Sequence, residues 1–250
     1  LCKDGKNNYY QNDSNYLHSL AIICKKLIIK NKLKNKLLIY IMSSTSSNRI
    51  LSIYKSRKTI LDLLDYQDYL VEDYTGFSIN ETDAMFVNSQ LDLLVTHKNN
   101  QKKVYVKYLI SSKVRAKDLD DIIEDLMYIE NVLQKSDTII IIIDDEPNDS
   151  ITTKLKYLYD HDGIFVVIHN IARLQFNILE HVLNPQVVVL EENQTDGLMK
   201  KYNLKSLTQL PEIDRFDPLA LALCLRPGQV CEMQRGSATA LSYKYYRICV

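Results

Sequence analysis

The chain has 250 residues, 46% hydrophobic and 25% charged, with 31 basic residues against 31 acidic ones. That composition describes a globular chain with room for one large or two small domains, and the balanced charge gives no global field for nucleic acid or membrane. The five cysteines (Cys2, Cys24, Cys224, Cys231, Cys249) are odd in number and form no C-x-x-C pair, which argues against a zinc knuckle or a secreted disulfide framework and fits reduced thiols in an intracellular protein.

Charge is unevenly spread. Residues 1–41 hold eight Lys against two Asp, leaving 23 basic against 29 acidic residues in the rest. Lysines interrupt every apolar run of this segment, so none reaches the roughly 18 apolar residues of a membrane span. The first Met is Met42. The expectation is a basic leader upstream of the true start at Met42. The alternative is an amphipathic helix on a membrane surface or in targeting.

From residue 49 the pattern becomes regular. Ile50, Ile53, Tyr54, Ile60, Leu61 and Leu64 recur at three- and four-residue steps, predicting an amphipathic helix over 49–64. Lys55, Arg57 and Lys58 fall between them and are expected on its solvated face, the alternative being a face toward phosphates. Residues 91–96 (LDLLVT) and 103–110 (KVYVKYLI) read as strands joined by a polar turn. A carboxylate in one strand and an acid-x-Lys in the next is the metal-binding core of a nuclease superfamily, and Asp92 and Lys107 stand where its acid and lysine would. Tyr105 occupies the second acid's position, so a divalent metal lacks its pair of hard oxygen ligands. The fold is expected without the chemistry.

Residues 113–117 form a basic loop with Lys113, Arg115 and Lys117. A helix over 118–134 comes next, its first turn acidic and its buried stripe Leu119, Ile122, Ile123, Leu126, Ile129 and Leu133. Residues 138–143 and 164–169 are β-branched apolar runs, read as buried strands. The segment between them predicts a helix over 150–159 capped by Ser150 or Thr152, and hence a parallel pair. His161, His169 and His181 are read as hydrogen-bonded structural residues. Residues 171–176 are a hinge without a flexible linker, so the two halves should pack closely. Residues 177–190 open a C-terminal module, and 191–203 form a helix weakened by Gly197.

Asp217-Pro218 is a helix start: Asp accepts from orphan N–H groups, and Pro at the first position has none to lose. The apolar run 219–225 predicts two turns, stopped at Pro227-Gly228. Residues 229–235 alternate as a strand with Cys231 and Met233 inward, 236–239 turn the chain, and the tyrosine-rich 242–250 form the last strand.

Those last segments carry a resemblance. "LPEI", "DPLA", "RPGQV" and "RGSATALSYKYYRI", between Leu210 and Ile248, resemble the C-terminal assembly domain of the fifth subunit shared by the eukaryotic nuclear RNA polymerases, whose archaeal counterpart consists of that domain alone. "NILEHVLNPQVVVLEE" (Asn177–Glu192) is similar to that domain's opening, "RILSIYKSRKTILDLLDYQDYLV" (Arg49–Val71) to the first helix of the eukaryotic subunit, and "SSKVRAKD" to the basic loop of its jaw domain. Several positions depart from the family pattern. Gln186 replaces a second histidine, Arg115 a glycine, and Leu223-Cys224 an aromatic residue and glycine.

The resemblance implies a mixed α/β (α+β) fold, with a basic leader over 1–41, an N-terminal jaw domain with a helix-flanked, nuclease-like sheet over 42–173, and a small helix and mixed-sheet assembly domain over 174–250. It implies a non-catalytic subunit of a DNA-directed RNA polymerase, with no cofactor, metal or catalytic residue of its own and no membrane partner. Its partners would be the largest subunit, other polymerase subunits, and double-stranded DNA held non-specifically near the lower jaw. Lys113, Arg115 and Lys117 are the candidates facing DNA. The docking candidates are His181, Pro185, Asp217, Pro218, Arg226, Gly228, Gln229, Val230, Arg235, Ser237, Thr239, Tyr243, Tyr246 and Arg247. The location would be the nucleus or, for a viral source, a cytoplasmic factory and virion. Two competing readings are a nuclease-like hydrolase using Asp92 and Lys107, and a free-standing transcription regulator.

Overall fold

A computed structural model describes residues 47–110 and 113–250. The expected leader, with Cys2 and Cys24, lies outside the described residues. The chain divides into units at Arg49/Ile50, and the larger unit, Ile50–Val250, holds both sheets.

Helix α1 (residues 47–66) enters this unit at Ile50. Ile53, Ile60, Leu61 and Leu64 are buried, as their spacing predicted. Arg57 is a correction: it is not solvated but only 5% exposed, because it donates to the Leu91 carbonyl at 2.9 Å and lies 5.5 Å from the Phe77 ring. Helix α2 (Ile79–Val87) carries a signal that apolar periodicity passed over, the Ser78-x-x-Glu81 capping box. The Ser78 hydroxyl accepts from the Glu81 backbone, and the Glu81 carboxylate accepts from Ser78 N at 2.7 Å.

Strand β1 (Leu93–Thr96) pairs antiparallel with β2 (Lys103–Leu109), which pairs parallel with β3 (Thr138–Ile143), itself parallel to β4 (Phe165–Asn170). All residues of β3 and β4 are buried. The cause is two-sided cover. Ile140 and Ile142 pack toward α1, while Ile139, Ile141 and Ile143 pack toward α3 (Ala116–Glu124) and α4 (Asp149–Tyr157).

Two boundaries differ from expectation. Helix α3 starts earlier, so Lys117 sits in its first turn, and its end loosens into a π turn over Asp125–Ile129. The wider turn rotates the stripe. Met127 goes inward, and Ile129, expected inside, is 68% exposed. The cap of α4 is Asn148, whose side chain accepts from Ile151 N at 3.1 Å, rather than Ser150 or Thr152. Gly163 ends the π turn after α4 at φ 69°, the left-handed conformation that lets the chain reverse into β4.

The second sheet has the order β5 (Gln186–Val189), β7 (Val230–Ser237), β8 (Leu241–Cys249), β6 (Glu212–Ile213). The β7–β8 pair runs two residues into the expected turn, through Gly236 and Ser237, so the turn falls at 238–240. One face carries Val187, Cys231 and Met233 into a core with Leu219 and Leu225; the other buries Val230 and Ile248 against Leu198 of α5 (Glu192–Tyr202). Cys224, Cys231 and Cys249 are free thiols.

Helix α6 (Pro218–Ala222) joins the two cores. It is apolar all round because both sides are covered. Leu221 and Ala222 belong to the α1 cluster, and Leu219 and Ala220 to the second core. The Gln67 side chain donates to Ala222 O at 3.0 Å, and the Tyr66 hydroxyl donates to Val187 O at 2.8 Å. The helix is shorter than the two turns expected. It ends because Cys224 takes φ 49°, while Leu225 N donates to Ala220 O at 2.9 Å. This is a left-handed closure normally made by glycine, at the position where the resemblance expects glycine. The close packing expected of the two halves is thus present in one unit.

Candidate functional site

The expected docking residues separate into two groups by burial. Those between 217 and 230 mostly build the turn that delivers β7. Asp217 caps α6 by accepting from Leu219 N at 2.9 Å. Gly228 lies at φ 88° and donates its N–H to Cys249 O at 2.9 Å, and Gln229 accepts from Arg226 N at 2.8 Å. Val230 is 1% exposed, so its side chain offers nothing to a partner. Pro218, in the first turn of α6, is exposed.

Arg226 turns inward as well. Its guanidinium donates to Ser136 O, and to Asp137 O and Thr138 Oγ1 at 3.2 Å, at the start of β3. Half-buried itself, it stands 5.2 Å from the Phe165 ring, and the buried Arg215 approaches the same ring at 5.8 Å. No sequence motif had pointed to Phe165 or Arg215. Two arginines of the C-terminal sequence therefore grip one aromatic of β4, through cation–π contacts that strengthen as water is excluded. Nothing in their local sequence distinguishes them from surface arginines.

The remaining candidates lie on the second sheet and its approach. Tyr245 is flanked by Arg235 at 4.9 Å and Arg247 at 5.4 Å. Tyr246 donates to Glu232 at 2.9 Å, and Lys244 pairs with the same carboxylate at 2.7 Å. Lys244 holds the Glu232 carboxyl below its usual range, while burial, followed by Glu232, pushes the Tyr246 hydroxyl up to about 12. Ser237 and Thr239 bond each other in the hairpin turn, and Tyr243 is exposed beside them. His181 is exposed, its Nδ1 accepting from Leu183 N at 3.2 Å, with half-buried Pro185 close by. Around this end of the sheet Val182 is 96% exposed, Leu183 87% and Leu241 92%. Val182, Leu183 and Pro185 share one shallow depression with Gln234, Arg235 and Ser242.

Lys113, Arg115 and Lys117 are all exposed at the start of α3. Asp118 accepts from Arg115 N at 2.8 Å. Cations here oppose the positive end of the helix dipole, a cost of some tenths of a kcal/mol that a nearby anion would reverse.

Asp92 and Lys107 do meet, at 3.8 Å. Both Asp92 oxygens are engaged, one by the Tyr105 hydroxyl at 3.1 Å and the other by Tyr108 N at 3.1 Å. Burial, followed by Asp92, raises the Tyr105 pKa, keeping the hydroxyl protonated as donor. Among the described residues no three His, Cys, Asp or Glu side chains gather as a metal site. The histidines read as structural differ in their surroundings, His161 being exposed. His169 is buried in β4, whereas His161 packs its ring 4.4 Å from Tyr157.

Residues 176–249, which hold the second sheet and the exposed apolar end, match the family model described as RNA polymerase Rpb5, C-terminal domain. The class is therefore a subunit of a DNA-directed RNA polymerase. The subunit Rpo5 of Thermococcus kodakarensis is 44% identical over 79 residues, 32% of this chain and 95% of that protein. Subunit RPABC1 of RNA polymerases I, II and III from Caenorhabditis briggsae is 28% identical over 214 residues, covering 79% of this chain and 95% of the relative. The corresponding subunit of Dictyostelium discoideum is also 28% identical, across 81% and 98%. The chain belongs to the Rpb5/Rpo5 family of RNA polymerase subunits.

Proposed function

We propose that this subunit docks on the largest polymerase subunit through the outer end of its C-terminal sheet, and that it keeps its N-terminal module in the lower jaw beside downstream DNA. The boundary between modules falls at 173/174. The observation that carries this reading is the nearly complete exposure of the apolar Val182, Leu183 and Leu241 at one end of a sheet that buries Val187, Val230, Cys231, Met233 and Ile248 elsewhere. Bare apolar side chains at one site mark an interface. Polar Arg235, Tyr243 and Thr239 around them would supply its rim.

Lys113, Arg115 and Lys117 are the groups that would meet duplex phosphates without reading sequence. Their unfavourable position at the head of α3 supports that role. The chain would carry out no reaction itself, since Tyr105 and the Tyr108 amide hold Asp92 where a nuclease would hold metal. Kinship with eukaryotic subunits supports a nuclear location, or a cytoplasmic factory and virion for a viral source.

The test is co-purification. The chain, tagged and started at Met42, is expressed in its native setting and eluted at high salt. The two large polymerase subunits should accompany it in near-equal amounts. Elution alone, or with unrelated factors, would overturn docking and favour a free-standing regulator.

A further inference from the structure

Arg57 is a buried cation without an anion among the described residues. Only 5% exposed, it has one Nη donating to Leu91 O at 2.9 Å. Among the described residues its buried Nε has no hydrogen-bond partner, and its one side-chain hydrogen bond is that of the first Nη. No described carboxylate forms an ion pair with it. The Phe77 ring at 5.5 Å compensates only in part. A buried charge left unpaired is costly and is normally found paired or bound.

Arg57 lines a cleft of about 310 Å³ between α1 and the segment Tyr74–Phe77. Tyr54, Leu61, Tyr74 and Phe77 supply apolar and aromatic walls, and Lys58 is a second cation at its edge. The volume is at the lower end of the range for ligand pockets, enough for one or two side chains.

We infer that this cleft is a recognition site for one carboxylate-bearing residue of a partner polypeptide, an Asp or Glu next to an aliphatic or aromatic residue. The carboxylate accepts from the free Nη of Arg57, and the apolar neighbour lies against Tyr74 and Phe77. Charge complementarity at the base of the cleft selects the anion. The surroundings select against a nucleic-acid backbone: residues 72–83 contain Glu72, Asp73, Glu81 and Asp83 and no basic residue, and Asp62 lines the cleft itself. A strand of phosphates would pass all of these acids, whereas a single carboxylate in the cleft meets only Asp62 among them, which Lys58 offsets, and leaves Arg57 to the incoming group. An arginine fork suits a planar carboxylate.

The test uses the purified full chain, so its outcome is independent of whether the chain incorporates into polymerase. Overlapping peptides covering the other subunits of the polymerase are titrated against it by fluorescence anisotropy. Peptides that bind should carry Asp or Glu beside an apolar residue. Changing that acid to its amide should weaken binding at least about tenfold, and Arg57→Gln should do the same. Because Arg57 also braces Leu91, Thr75→Trp is the second variant. It blocks the mouth of the cleft, leaves the Arg57 hydrogen bond in place, and should cost as much affinity with an unchanged melting temperature. Peptide binding that ignores the acid or both variants would overturn the site. So would the absence of any binding peptide, or a double-stranded oligonucleotide binding through Arg57 in their place.

Discussion

The two sheets of this chain solve different problems. The first is covered on both faces, so β3 and β4 are apolar at nearly every position and each side chain there is chosen by packing. The second has faces covered near its base and a bare outer end, where Leu241, Tyr243, Val182 and Leu183 meet solvent. The difference teaches where binding can reside. A strand buried on both faces has no surface to give, and a small sheet with one uncovered end has surface that folding does not use.

The sharpest way to break this contrast is to shorten one apolar residue in each sheet. Ile141→Ala, fully buried in β3, should cost about 2–5 kcal/mol, read by urea denaturation. Leu241→Ala should shift stability by less than about 0.5 kcal/mol, yet reduce recovery of the large polymerase subunits. Equal stability losses would remove the distinction.

Acid should loosen the buried region through His169, which packs with α6 residues around a small internal gap. Burial first, then the nearby Arg173, lowers its pKa from 6.5 to about 4. The folded pKa lies below the unfolded one, so the unfolded chain binds more protons between those values and stability falls as pH falls through that window. The loss should be about 3 kcal/mol between pH 6.5 and pH 4. His169→Gln should flatten that part of a stability profile measured against pH, and an unchanged slope would assign the effect elsewhere.

Arg226→Met keeps much of the side chain's bulk but removes its donors to Ser136, Asp137 and Thr138. It should cost about 2 kcal/mol and separate one thermal transition into two, as the sheets lose a bracket. Cys224 offers a finer measurement. Cys224→Gly should be more stable than Cys224→Ala by about 1 kcal/mol, because only glycine adopts φ 49° without penalty. Neutralising Lys113, Arg115 and Lys117 with Gln should barely change stability. Within assembled polymerase it should lower the salt dependence of DNA retention, by a slope of about 2–3 if all three meet phosphate. An unchanged slope would make them an ordinary solvated surface.

Much of the framework was legible beforehand. The run Thr138–Ile143 could be read as a buried strand because a continuous β-branched sequence has few other stable environments. The α6 start could be read from Asp217-Pro218, whose chemistry is local. Helix α2 is written in the sequence only through its capping box, because it buries just Thr82 and so has little apolar periodicity. Ile129 was misplaced because a periodic stripe presumes an unbroken α-helix, and the π turn rotates everything after it. The surroundings of the residues proposed for docking were the least legible. Arg226 and Val230 belong to the motif that carries the resemblance, yet one braces the first sheet and the other fills a core.

By itself the sequence determined the periodic helices, the two central strands, the turn chemistry around Gly228 and, through its C-terminal motifs, the family. All of these depend on residues close together along the chain. Tertiary structure decided which charged side chains face inward: Arg57 finds Leu91 34 residues away, and Arg226 finds Asp137 89 residues away. A cation carries no local mark of such a destination. Its burial is set by the carbonyls and rings that folding gathers around it.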